Sequence, residues 1–219
     1  MVLGMKGKMM NTYAQDKEDL ILWQILSDVK KGFYIDVGAN SPDVYSVTKL
    51  FYENGWNGIN IEPLPDMYVE LCVKRERDVN LNMGMGNKHG RMTLHIEGML
   101  STFSDQVVID QHLGDKPTLQ VEVMTLASVL KSYNPEEIHF CKIDVEGFER
   151  QVLEGMDWNY RPWVFCMEST KPNTDIPCHE EWENILLWHG YVCEYTHGIN
   201  RYYIDATNHK ELLGKDIKL

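Results

Sequence analysis

Short apolar strands alternate with helical stretches along most of this 219-residue chain, and that rhythm admits few architectures. Residues 33–37, 58–62, 79–83, 139–144 and 163–168 read as strands, the last with Pro162 at its start, where a strand tolerates proline. Helices are expected over 44–54, 66–74, 126–133, 149–156 and 180–189, and over 16–29 within an N-terminal helical segment spanning 1–30. Strand–helix repetition builds a mostly parallel sheet with helices on both faces. Residues 191–195 and 201–205 lack an intervening helix, so they should pair antiparallel at one edge. Residues 91–123 break the rhythm with short alternating stretches, Met92–Ile96 and Leu119–Val123, which read as a β-rich insertion of hairpin-like strands. With no repeat or linker, the expectation is an α/β chain forming a single domain over 1–219.

Composition narrows the partners. The net charge is −12, and no lysine or arginine cluster forms the basic patch that phosphate neutralisation demands, so no nucleic acid is expected. The longest apolar run is about seven residues, far short of the roughly 20 of a membrane span, so no membrane insertion is expected. Residues 1–10 carry two lysines without an apolar stretch behind them, unlike a secretory signal. The five cysteines form no C-x-x-C pair, which suits a reduced, cytoplasmic protein.

Two segments carry the chemistry. Tyr34-Ile35-Asp36-Val37-Gly38-Ala39-Asn40 is a strand that runs into a glycine before a helix, and Glu62 ends the following strand. In open α/β sheets, ligands bind beyond the carboxyl ends of the strands, and an acid there can accept both hydroxyls of a ribose. A dinucleotide site wants three glycines around a helix N-terminus, whereas residues 36–43 hold one glycine and an acid, Asp43. S-adenosylmethionine has no phosphate and carries a cationic sulfonium, so the acidic loop favours it over NAD. The second segment is Lys142-Ile143-Asp144-Val145-Glu146-Gly147-Phe148-Glu149, where Asp144 ends a strand facing the same crevice and Glu146 and Gly147 begin a helix. Glu149 suits a helix N-terminus on electrostatic grounds alone. Asp144 does not, since a carboxylate at a buried strand end needs a partner.

Taken in order, these segments resemble the FkbM family of methyltransferases. The resemblance runs from about Tyr13 to Tyr203 and rests on Gln15–Leu20, Tyr34–Asn40, Asn60–Pro63, Ser101-Thr102, Lys142–Gly147 and Gly198–Tyr203. It implies a Rossmann-like class I methyltransferase fold, S-adenosylmethionine as donor and O-methylation of a sugar-containing acceptor. It further implies that Asp36, Gly38 and Asn40 line the donor's methionine portion and Glu62 its ribose. Asn82 and Met83 fall where adenine is held, and Gln15 and Asp19 lie in a segment closing over the donor. Pro42 and Asp43 depart from the softer loop that such families carry there.

A sugar hydroxyl is a poor nucleophile near neutral pH, so a base or a divalent metal ion should assist. Asp144, Glu146 and His179 are the catalytic candidates; Asp144, Glu168 and His179 are the metal candidates. Ser101, Thr102, Asn200, Arg201 and Tyr203 are candidates for the acceptor, with Arg201 suited to a phosphate on it. The competing readings are an N-methyltransferase, an NAD-dependent sugar-modifying enzyme and a non-catalytic donor-binding module.

Overall fold

A computed structural model describes Val2–Leu3 and residues 9–219. Residues 1 and 4–8 of the expected N-terminal helical segment lie outside the described residues. The strands are β1 (Val2–Leu3), β2 (Met9–Met10), β3 (Phe33–Val37), β4 (Asn57–Ile61), β5 (Val79–Leu81), β6 (Gly84–Met85), β7 (Gly90–His95), β8 (Thr118–Met124), β9 (Phe140–Ile143), β10 (Val164–Glu168), β11 (Tyr191–His197) and β12 (Asn200–Asp205). The α-helices are α1 (Glu18–Ile25), α2 (Lys49–Glu53), α3 (Pro65–Lys74), α4 (Asp105–Asp110), α5 (Leu126–Tyr133), α6 (Glu149–Glu154) and α7 (Glu183–Trp188). Among the described residues, no helix is long and apolar enough to cross a membrane.

The main sheet has seven strands in the order β11-β12-β10-β9-β3-β4-β5. Pairing from β5 to β10 is parallel, and β12 joins β10 and β11 antiparallel, as the missing helix between them requires. The chain starts in the middle at β3, winds outward through β4 and β5, then returns to β9 on the other flank. The sheet therefore changes winding direction between β3 and β9, which is where a doubly wound sheet opens a crevice.

Strand alternation sorts the core into two faces. Ile35, Val37, Ile59, Ile61, Cys141, Ile143, Phe165, Met167 and Tyr203 pack on one side under α5, α6 and α7. Tyr34, Phe140, Val164, Cys166, Tyr202 and Ile204 pack on the other, under α1 and α2. Nearly every residue of β3, β4, β9 and β10 is buried, so these strands show no alternation of exposed and buried positions, and their few polar residues, Asp36, Asn60, Lys142 and Glu168, are buried too.

Three expectations are corrected. The helix drawn over 44–54 begins only at Lys49, because Asn40 and Tyr45 adopt left-handed backbone (φ 49° and 55°) and Ser41 Oγ accepts from the amides of Asp43 and Val44. Residues 40–48 are a loop instead. The 91–123 insertion carries its two expected strands, β7 and β8, paired antiparallel, but α4 rather than a tight turn lies between them, and β6 adds to β8 in a separate three-stranded sheet ordered β6-β8-β7. The helix over 180–189 is a short 3₁₀ turn at His179–Glu181 followed by α7, and α1 fills only the centre of 16–29.

The antiparallel edge is fastened by one buried ion pair. Arg161, just before β10, donates to both carboxylate oxygens of the fully buried Asp205 at 2.8 and 2.7 Å and to the His189 carbonyl at 2.8 Å. Arg161→Ala would leave Asp205 buried with only Asn208 Nδ2 and the amides of Thr207 and Asn208 as donors. It should therefore lower unfolding free energy in urea by about 2 kcal/mol, with no change in m-value.

Candidate functional site

A cavity of about 420 Å³ opens at the carboxyl ends of β3, β4, β9 and β10. Its floor comes from the two segments singled out in the sequence. The Gly38 and Ala39 amides bond to the Ile61 carbonyl, and the Asp144 amide to that of Val37, which draws the β3–α2 and β9–α6 loops together. Gly38 has φ 77°, and a Cβ there would overlap the Asp144 carbonyl oxygen. The glycine is required by this backbone approach, and its own backbone then lines the cavity.

Asp36 does not line the cavity; it lies beneath it, fully buried. Thr48 Oγ1 donates to it at 3.0 Å, and the Lys142 ammonium lies 3.4 Å away. Lys142 is the residue that sequence reasoning passed over. Its ammonium donates to the Gly38 carbonyl at 2.7 Å and sits 3.3 Å from Asp144. Burial alone would lower this ammonium's pKa, but Asp144 and Asp36 outweigh it and hold the group firmly charged. A lysine inside the apolar run Phe140-Cys141-Lys142-Ile143 was the available signal, because a buried charge implies partners.

Glu62 is buried at the end of β4, and both its oxygens are aligned by backbone: Oε2 accepts from Asn40 N at 2.7 Å and Oε1 from Leu64 N at 2.8 Å. Burial raises this carboxyl above its ordinary value, while those two amides pull it back. A carboxylate has about four acceptor positions, so two remain for a ligand diol. Gln15, Gly38, Asn40 and Glu62 all line the cavity. Asn82 and Met83 do not: Asn82 donates to the carbonyls of Glu62 and Pro63 at 2.9 and 3.0 Å, and Met83 packs on the core. Asp19 also stays out of the cavity. It is fully buried and caps the N-terminal turn through Thr12 Oγ1, Tyr13 N and Leu20 N. Its neighbour Glu18 lines the cavity instead, accepting from Asn200 Nδ2 at 2.8 Å.

The acceptor candidates divide by strand parity. Asn200 faces the cavity, whereas Arg201 and Tyr203 point to the other face of β12, where both bond Glu183 Oε1 at 3.1 and 2.8 Å. Arg201 is thus spent on a local pair and is no phosphate clamp for the cavity. Ser101 lines the cavity; Thr102 is fully buried and its hydroxyl donates to the Glu146 carbonyl at 2.8 Å. The Asp43 charge, which was expected to repel a pyrophosphate, is neutralised by Lys49 and Lys74 at 2.7 and 2.6 Å, whose hydrogen bonds pull its carboxyl down to about 2. Repulsion therefore comes from the cavity's other acids. Six carboxylates (Glu18, Glu62, Asp144, Glu146, Glu168 and Asp175) line it against one ammonium, Lys142.

Glu146 and Gly147 do not start a helix; both are left-handed (φ 53° and 88°), and α6 begins at Glu149. The buried Glu149 carboxylate folds back to accept from the amides of Val145 and Gly147 at 3.1 and 3.2 Å, which fixes this loop. The loop brings Glu146 beside Asp144 and Glu168, one oxygen of each lying within 4.8 Å of the others. Burial first, then the neighbouring carboxylates, raises both Glu146 and Glu168 above the usual range. His179 is neither in this cluster nor among the cavity-lining residues. It stands on the 3₁₀ turn after the 169–178 loop, whose ends close on each other through the Cys178 amide and the Ser169 carbonyl at 2.8 Å, so the chain returns to the end of β10 without His179 lining the cavity.

A parallel sheet that reverses winding above an acidic, glycine-walled cavity defines a Rossmann-like methyltransferase fold. A family model described as the methyltransferase FkbM domain matches residues 36–193, and the chain belongs to that family. The crystal structure of methyltransferase FkbM from Methylobacillus flagellatus KT is similar in fold, with a TM-score of 0.50 and 14% identity. That likeness covers 80% of this chain and 44% of the other, so the chain spans under half the length of that relative. No curated protein matches.

Burial, opposed by the amides of Glu18 itself and Asp16, moves the Glu18 carboxyl up to about 7. A raised folded-state pKa means stability is fully present below the unfolded value near 4.5 and lost as pH rises through about 7. Glu18→Gln should keep the Asn200 contact and flatten that fall, by on the order of 2 kcal/mol between pH 4.5 and 8 in urea titrations. A pH profile unchanged from wild type would refute the assignment.

Proposed function

We propose that this protein is an S-adenosylmethionine-dependent O-methyltransferase acting on a hydroxyl of a sugar-containing small molecule. The observation that carries the reading is the acidic cavity at the winding reversal, lined by six carboxylates and one ammonium. Such a cavity suits a cation and repels a pyrophosphate, and among the described residues no glycine-rich helix N-terminus lines it to offer an anion a seat. The residues present fit the donor. Glu62, held by two amides, keeps acceptor positions for a ribose diol, and the bare Gly38-Ala39-Asn40 backbone lets a ligand approach. Gln15 closes the same space from the N-terminal side.

When bound, the donor supplies an electrophilic methyl group on a positively charged sulfur. The chain's own contribution is to orient the acceptor and take its proton. Ser101, Thr170, Asn173, Thr174 and Asn200 give the cavity neutral hydroxyl and amide groups, which suit a polyhydroxylated acceptor. Asp144 is the first-choice base, with Glu146 and Glu168 beside it at the end of the same cavity. Gly98–Ser101 from the insertion and residues 173–175 rim the opening, so these two segments select the acceptor.

Calorimetry should show S-adenosylmethionine and its demethylated product binding in the micromolar range or tighter, and NADH not at all. Glu62→Gln, which turns one of the two amide-accepting oxygens into a donor, should weaken donor binding by about 10-fold or more, with circular dichroism to check the fold. Tight NADH binding with no donor binding would reverse the choice. A mass-spectrometric screen of sugars and sugar nucleotides with labelled donor should then find methyl transfer to oxygen.

A further inference from the structure

We propose that Asp144, Glu146 and Glu168 form a binding site for one hard divalent cation of the magnesium or manganese type. The three carboxylates come from the end of β9, the left-handed loop that follows it and the end of β10. One oxygen from each lies within 4.8 Å of the other two. An octahedral ion holds oxygens at about 2.1 Å, which places them about 3 to 4.2 Å apart. Small side-chain rotations therefore complete the cage.

The second observation is independent of this clustering. Glu168 is 7% exposed and its Oε2 has no hydrogen-bond partner, and Glu146 Oε2 is likewise buried and unpaired. Buried carboxylate oxygens without partners are costly, so each calls for an explanation. The nearby protein groups are already committed. The Lys142 ammonium serves Gly38, Asp36 and Asp144, and the amides of Val145 and Gly147 serve Glu149. A cation supplies what these oxygens lack. The donor set is all oxygen, with no imidazole or thiolate, which selects magnesium or manganese over zinc or copper. His179, the imidazole expected from the sequence, is outside the set.

All three ligands line the cavity, so the ion's remaining positions face it. A coordinated acceptor hydroxyl would lose its proton more readily there. That role rests on the methyl-transfer reading, whereas the site itself rests on the carboxylates alone.

The test is manganese binding to the chelator-treated 219-residue chain without donor, read by the loss of the free-ion paramagnetic resonance signal. Wild type should bind one ion per chain, displaced by excess magnesium, and its thermal midpoint should rise with the metal. Glu168→Gln and Glu146→Gln should each weaken binding by more than about 10-fold, while the exposed Glu154→Gln should leave it unchanged. Circular dichroism checks the fold, and the loop variant Glu146→Gln decides the matter should Glu168→Gln not fold. No bound manganese at millimolar concentration, or equal binding by wild type and Glu146→Gln, would overturn the site. Donor calorimetry on the same preparation tells separately whether the methyl-transfer reading stands.

Discussion

One buried ammonium organises the crevice. Lys142 sits directly beside Asp36 in the parallel register of β3 and β9, and its side chain reaches Gly38 and Asp144 on the two loops that leave those strands. A lone charge at this depth would be very costly, and here two carboxylates and a carbonyl surround it. The consequence is geometric. The two strand ends at the winding reversal are tied by this ammonium as well as by the Asp144 amide on the Val37 carbonyl, and the loops that floor the cavity start from there. Gly38 is bare because the Asp144 backbone lies against it, and Asp144 faces the cavity because Lys142 holds one of its oxygens.

From that tie, left-handed backbone does the aiming. Asn40 and Tyr45 turn the first loop so that the Asn40 amide meets Glu62, and Glu146 and Gly147 turn the second so that Glu146 meets Asp144 and Glu168. The insertion supplies the roof and also a brace, since Thr102 holds the Glu146 carbonyl. The two halves of the cavity thus share a floor but are shaped by different segments.

Much of this was legible in the sequence because the strands are buried on both faces. Continuous apolar runs alternating with helices leave little choice of sheet, and the helix missing between 195 and 201 marked the antiparallel edge. Gly38, Glu62 and Asp144 could be placed at strand ends for the same reason. What failed was anything set by the face of a side chain. Asn200 and Arg201 are adjacent, yet one enters the cavity and the other pairs with Glu183. Glu18 and Asp19 are adjacent, yet only Glu18 reaches the cavity, because Asp19 turns back to cap the segment before α1. His179 follows a loop that closes back on Ser169 at the end of β10, yet it does not line the cavity, and nothing periodic in the sequence marks its face. Lys142 was missed although its signal was present: a charge in the middle of an apolar strand has to be answered by others.

The dependence of the crevice on that ammonium can be measured directly by urea denaturation of Lys142→Met, which keeps the length of the side chain and removes the charge. Asp36 would be left buried with only the Thr48 hydroxyl as a partner, so unfolding free energy should fall by about 3 kcal/mol or more. A variant as stable as wild type would contradict the view that the two strand ends are held together by Lys142.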